Sequence, residues 1–232
     1  MPEGVEGGAR GAGDGHTQDT ACPKCRKPPG LCVCSAIEPI DNKIFVLILQ
    51  HPQEQDRELG SAWIAHRQLK NSRLVVGLSW KGLAAIIGRP VDPRKWGVLY
   101  LGSAKLAHTK IMGEAREHPL VAVSTRGTEL PDQQAVLGAL EGIILLDGNW
   151  SQAKALWWRN PWLLKLRRLI LAPDFRSLYG KLRKEPRAES ISTIEAAALC
   201  LAQLAQNPEI ITRVTRPFVL LLRNYKDLRR SV

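Results

Sequence analysis

Residues Ile44-Phe-Val-Leu-Ile-Leu49 form an apolar run with no polar break and no period-two alternation. A strand with one wet face alternates apolar and polar residues. One that does not alternate buries both faces, as in a parallel sheet covered by helices on each side. Gly142-Ile-Ile-Leu-Leu146 is a second run of this kind. Shorter strand-like stretches occur at Arg73–Leu78, Gly97–Leu101, Leu120–Val123 and Leu169–Leu171. Helical patterns lie among them: Arg57–Lys70 with Asn71 as a stop, and Pro131–Leu140 with proline in its first turn. Trp150–Leu166 follows, broken at Pro161, then Thr193–Gln206 and Pro208–Leu228. This alternation predicts an α/β fold: a mostly parallel sheet with helices on both faces.

The chain has 232 residues, enough for one ordinary domain and a small appendage. Residues 1–20 contain six glycines and almost no large apolar side chains, so a disordered tail is expected there. The longest apolar run is far short of the ~20 residues of a membrane span. The N-terminus opens with Pro2, Glu3 and Gly4 and has no apolar signal core, so no membrane association and a cytoplasmic location are expected.

Four of the five cysteines fall within Cys22-Pro-Lys-Cys25 and Cys32-Val-Cys34. Two closely spaced thiol pairs can converge tetrahedrally on zinc, and Pro23, Pro28, Pro29 and Gly30 suit the turns between them. The alternative is four free or redox-active thiols. Four thiolates leave no open coordination position, so the expected zinc is structural, in a knuckle over residues 21–40 with the main domain at 41–232. Lys24, Arg26 and Lys27 make that knuckle basic. Cys200, within an apolar stretch, reads as a small core residue.

The chain carries 33 Lys and Arg against 22 Asp and Glu, a net charge of +11. From Lys154 to Arg187 there are ten basic residues and two acids, Asp174 and Glu185, so +8 falls in one stretch. Trp150, Trp157, Trp158 and Trp162 lie in or beside it. Positive charge with aromatics is the pattern of an RNA-binding face, in which phosphates are neutralised and exposed bases stack. The expected contacts are Lys154, Arg159, Lys165, Arg167, Arg168, Lys181, Lys184 and Arg187. A solvated helix face, or a membrane surface, would use the same charge differently. At least two of the four tryptophans are expected in the core.

Strand Gly142–Leu146 delivers Asp147-Gly148-Asn149-Trp150 at its C-terminal end, where open α/β sheets bind ligands. Asp147 could take a proton there or hold a ribose hydroxyl. Asn149 with Gln152 also fits a capping box, as does Ser192 with Glu195 further on. His51, in Leu49-Gln50-His51-Pro52-Gln53-Glu54, is either a general base or a local hydrogen-bonding residue at a strand end.

In order, the cysteine knuckle, LQHPQE at 49–54, LLDGNW at 145–150, RKEP at 183–186 and STIEA at 192–196 resemble the DTW-domain family, the tRNA-uridine aminocarboxypropyltransferases. The resemblance covers roughly residues 20–205. The family pattern is Asp-x-Thr-Trp, and this chain has Asn149 in place of threonine. The resemblance implies a fold related to the SPOUT class, with a C-terminal trefoil knot at the S-adenosylmethionine site, and often a homodimer. It implies transfer of the 3-amino-3-carboxypropyl group from S-adenosylmethionine to N3 of a tRNA uridine, releasing methylthioadenosine.

Carried onto this sequence, the resemblance makes Asp147 the candidate base, with Asn149 and Trp150 beside it. A free aspartate, with a pKa of about 3.9, is a weak base for an imide, so Asp147 either is raised by burial or mainly orients the uracil edge. Arg183 would bind the cofactor carboxylate, and Glu185 or Glu195 its ammonium. Leu101, Gly102, Ser103, Leu146 and Thr193 would complete the cofactor pocket. Trp150 would wall that pocket, stack on the target base, or pack under the sheet. An S-adenosylmethionine-dependent RNA methyltransferase and a non-catalytic zinc-containing RNA-binding protein are the rival readings.

Overall fold

The apolar run at 44–49 supplies, to a six-stranded sheet, a strand in which every residue but the first is buried. The computed structural model describes residues 21–99, 119–171, 176–182 and 191–230. The expected tail 1–20, the pocket residues Leu101, Gly102 and Ser103, and Arg183, Lys184, Glu185 and Arg187 lie outside them. The described residues do not show the expected C-terminal knot, and residues 172–175 and 183–190 lie outside them. The strands are β1 Phe45–Gln50, β2 Ser72–Val76, β3 Trp96–Leu99, β4 Leu120–Val123, β5 Gly142–Asp147 and β6 Arg167–Leu171. Their order is β2-β1-β5-β3-β6-β4, all parallel except β4, which runs antiparallel to β6.

Period two explains why β1 does not alternate. Val46 and Ile48 point into one core cluster and Leu47 and Leu49 into the other, and all four are fully buried. Helices α1 Ala62–Gln68, α3 Gln133–Gly138, α5 Thr193–Leu204 and α6 Glu209–Arg230 contribute to the first cluster. Helices α2 Leu83–Ile87 and α4 Trp150–Arg159 contribute to the second. Both faces are covered, as the sequence requires.

Several boundaries moved for local reasons. The helix expected from Arg57 starts only at Ala62, because turns at 52–54 and 57–60 precede it. The helix expected through Leu166 ends at Arg159. Asn160, fully buried, spends its amide on Leu78 O at 3.0 Å, Leu156 O at 2.7 Å and Trp80 N at 2.9 Å. Pro161 then opens a 3-10 turn over Pro161–Lys165, and β6 begins earlier than expected, at Arg167. Helix α2, between Gly82 and a left-handed Gly88 with φ 83°, was not anticipated.

Three glutamine side chains mend defects in regular structure. Pro217 inside α6 has no N–H for the carbonyl of Arg213, and buried Gln68 donates its Nε2 there at 2.8 Å. Edge strand β4 is capped by amides. Gln203 bonds both N–H and C=O of Leu120 at 2.7 and 2.8 Å, and Gln133 bonds both groups of Ala122 at 2.8 Å. An edge satisfied this way does not recruit another strand. Among the described residues no helix is long and apolar enough to cross a membrane.

Candidate functional site

β1 and β5 end side by side, with Gln50 in register with Asp147. Gln50 is buried and donates from Nε2 to Asp147 Oδ2 at 2.8 Å. Thr193, the first residue of α5, donates its Oγ1 to Asp147 Oδ1. Residues 97 and 46 positions away thus converge on the two oxygens of one half-buried carboxylate. The chain leaves β1 toward β2 on one side and returns to β3 on the other, so this carboxylate stands at the strand-order reversal where α/β sheets bind ligands.

Gln50 is the residue that sequence reasoning missed. Attention to 49–54 fell on His51, yet His51 Nδ1 accepts from Gln53 N at 3.3 Å and caps the turn Pro52–Glu54. That is the local role considered for it. The overlooked signal was a polar residue closing an apolar, doubly buried strand.

Asn149 is the N-cap of α4. Its Oδ1 accepts from Gln152 N at 3.0 Å, and Gln152 Oε1 accepts from Asn149 N at 2.6 Å. A threonine hydroxyl at 149 has the same acceptor for the helix N–H. Gly148 fits because a Cβ there would lie 2.8 Å from Gln152 Cβ and 3.2 Å from its Oε1. Trp150 is half-buried at the first position of the helix, and Leu146 is half-buried against the second core cluster.

The second capping box holds more than its helix. Glu195 is buried and accepts from Ser192 N at 2.8 Å, Ser192 Oγ at 2.6 Å, Ser177 Oγ at 2.8 Å and Leu178 N at 2.8 Å. Two oxygens serving four donors leave little capacity for a ligand ammonium. Glu195 instead ties the Ser177–Leu178 segment to the start of α5. Tyr179, in the same segment, donates to Leu59 O at 2.8 Å and packs edge-on to Phe218 at 5.1 Å.

The thiols of Cys22, Cys25, Cys32 and Cys34 all lie within 4.8 Å of one another. Tetrahedral zinc–thiolate bonds of about 2.3 Å separate sulfurs by about 3.8 Å; Cys22 Sγ and Cys34 Sγ are 3.7 Å apart. The cluster therefore fits zinc. Backbone N–H groups of Cys25 and Lys24 hold the Cys22 thiol down to about 6, while burial pushes Cys34 up. Arg26 takes the left-handed conformation, φ 58°, that closes the first pair. The knuckle packs into the main body: Leu31 and Val33 share the first core cluster with Phe218, Leu221 and Leu222. Lys27 is not part of a basic surface. It is buried and donates to the carbonyls of Arg57, at 3.0 Å, and Glu58. Cys200 is buried, as expected for a core residue.

Of the described basic residues, Lys154, Arg159, Lys165, Arg167 and Lys181 are exposed. Arg168 is half-buried. It donates to Thr125 O at 2.9 Å and its guanidinium lies 5.8 Å from the centre of the Trp157 ring. Trp157 is buried in the second core cluster, and half-buried Trp162 packs against it, donating to Trp80 O at 3.1 Å. Trp158 is 74% exposed.

A doubly covered α/β sheet with a braced carboxylate at its C-terminal edge and a four-thiol cluster defines the class of protein. The model of the DTW domain matches residues 19–226, and this chain belongs to the DTW-domain family. It is similar to tRNA-uridine aminocarboxypropyltransferase 2 of Drosophila melanogaster, 29% identical over 217 residues, spanning 89% of this chain and 75% of the fly protein. The mouse protein of that name is 27% identical over 202 residues, and the Macaca fascicularis protein 25% over 210. For each of those two, the match spans 86% of this chain and 61% of the mammalian protein. No solved structure matches the chain.

Proposed function

We propose that this chain transfers the 3-amino-3-carboxypropyl group of S-adenosylmethionine to N3 of a uridine in tRNA, releasing methylthioadenosine. The observation that carries the reading is the Asp147 carboxylate braced by Gln50 and Thr193. Three of the five motifs behind the family resemblance meet at that one group. The names of the similar proteins support the same activity.

The uridine N3 lone pair attacks the methylene bonded to the sulfonium. That carbon–sulfur bond breaks, and its electron pair stays on the sulfur of methylthioadenosine. The sulfonium carries three carbons open to attack, so the protein's main task is to present the methylene rather than the methyl. Asp147 accepts the N3–H hydrogen bond and takes the proton as the new bond forms. At that point nitrogen is giving up its lone pair and holds the proton least tightly, so the carboxylate need not remove it from neutral uracil. Gln50 and Thr193 fix which way the carboxylate faces.

Arg183 binds the carboxylate of the transferred arm and Glu185 its ammonium. The main chain at Leu101, Gly102, Ser103 and Leu146 lines the adenosine side, and Trp150 walls it. Asn149 acts through the helix cap. A SPOUT-type knot forms this pocket, zinc at the four thiols stabilises the fold, and the exposed cations along α4 and β6 hold RNA phosphates.

The test is mass spectrometry of products after incubation with S-adenosylmethionine and unmodified tRNA. Methylthioadenosine, with a uridine heavier by one aminocarboxypropyl group, supports the reading. S-adenosylhomocysteine would make the chain a methyltransferase. Neither product, with tRNA still bound, would make it a binding protein.

A further inference from the structure

We infer that the exposed indole of Trp158 is a stacking platform for an unpaired RNA base flanking the target uridine. The inference rests on the tRNA reading above and assigns a role to a residue outside every motif that supports that reading. The chain has seven tryptophans. Six are buried or half-buried, and Trp158 alone is mostly in water, 74% exposed. A lone exposed apolar side chain is ordinary on a protein surface, so its surroundings decide what it does.

Three observations indicate what covers it. The first is charge. No Asp or Glu occurs between Gly148 and Leu171, whereas Lys154, Arg159, Lys165 and Arg167 there are all exposed. A protein partner with an ordinary mixed surface has no counterpart to that imbalance; a polyanion does.

The second is placement. Trp150, Lys154 and Trp158 sit at i, i+4 and i+8, on one face of α4. The rise of ~1.5 Å per residue puts Trp158 about 12 Å along the axis from Trp150, at the end next to Asp147. Trp150 is at the helix end next to Asp147, so Trp158 is too far away to touch the base that meets this carboxylate. A base on Trp158 therefore belongs to a neighbouring nucleotide, with Lys154 between the two rings to meet the linking phosphate.

The third is rigidity. Ser79 Oγ donates to Arg159 O at 3.1 Å, and buried Asn160 bonds Leu78 O and Trp80 N. The helix end is thus pinned to the loop after β2. Adjacent Trp157 is locked in the second core cluster. A ring on a fixed helix end loses little freedom on binding, which favours stacking. Stacking on every base face alike also suits a contact that holds the strand without reading its sequence.

The experiment compares the full chain with its Trp158→Ala, Trp158→Phe and Lys154→Ala variants. Each binds an unmodified tRNA transcript, a short mixed-sequence single-stranded RNA and a fully paired RNA duplex, across a salt series. Thermal melting checks that each variant is folded. Trp158→Ala is expected to weaken tRNA and single-strand binding roughly tenfold with the salt slope unchanged, and to leave duplex binding as it was. Trp158→Phe is expected to restore most of the loss. Lys154→Ala is expected to weaken all three RNAs and lower the salt slope by about one.

Equal binding of single strand by the parent and Trp158→Ala overturns the inference. So does an equal loss on duplex, or a change in oligomeric state on substitution, which would make the ring a contact between copies. These readouts need no turnover. Loss of binding in Trp158→Ala without any aminocarboxypropyl transfer would sink the transferase reading and keep this one. Transfer with unaffected binding would do the reverse.

Discussion

Substituting Thr193 by valine removes one hydroxyl and keeps the shape. Valine has the branched shape of threonine with a methyl in place of the hydroxyl, and Thr193 is half-buried, so the packing at the start of α5 changes little. The helix cap is Ser192, not Thr193, and it is untouched. What is lost is the hydrogen bond from Oγ1 to Asp147 Oδ1. A hydrogen bond to a charged group contributes about 1.5–3 kcal/mol. Thr193 and Asp147 are both half-buried, so water can replace part of it and the lower end applies. If the bond acts by holding the carboxylate for the transition state, about 1.4 kcal/mol appears as a roughly tenfold fall in kcat. Thr193→Ser, which keeps the hydroxyl, should stay within about twofold.

The assay is the initial rate of methylthioadenosine formation at saturating and sub-saturating tRNA. KM for tRNA should barely move, because Thr193 acts on Asp147 and not on RNA. A cost of about 1 kcal/mol in the folded state would lower Tm by only ~2–4 °C in a chain of this size, so the variant stays folded. A folded Thr193→Val variant that turns over at the parent rate refutes the claim that the orientation of Asp147 matters. Equal losses for valine and serine would place the effect in helix packing instead.

Because Leu31 and Val33 share a core with α6, stripping zinc or substituting Cys34→Ser should lower Tm of the whole domain by several degrees; an unchanged Tm would make the knuckle an independent appendage. Zinc occupancy, followed with a chromogenic chelator, should fall as pH falls, since four thiols must shed protons to bind it and protons then compete. Asn149→Thr should leave Tm within about 1 °C, while Asn149→Ala should cost about 1 kcal/mol in urea unfolding. Glu195→Gln turns an amide donor toward Ser177, Leu178 and Ser192, and should cost about 2–3 kcal/mol, with faster hydrogen exchange at residues 176–182.

Much of the fold was legible because strand burial writes itself into the residues. Val46 to Leu49 cannot alternate when helices cover both faces, and the eye needs only that run to expect a parallel sheet. Asn149 with Gln152 and Ser192 with Glu195 were legible for a similar reason: a capping box is a local geometry three residues long. The four cysteines were legible because thiols at those spacings have few other uses. What escaped was anything set by distant partners. Asn160 ends α4 to satisfy a loop some 80 positions earlier, and no local pattern announces that. Lys27 looks like surface charge in the sequence and is buried against two carbonyls in the structure. Glu195 fits its own capping box, yet it also holds Ser177 and Leu178.

By itself, then, the sequence determined the layered α/β plan, the thiol cluster, the two capping boxes and the order of the family motifs, since each depends on residues near one another or on burial periodicity. Only the tertiary structure decided the strand order, the antiparallel edge of β4 and the meeting of Gln50, Asp147 and Thr193. Hydrogen bonds across 97 and 46 positions depend on which strands become neighbours. That choice is made by whole faces packing together, and no short stretch of chain encodes it.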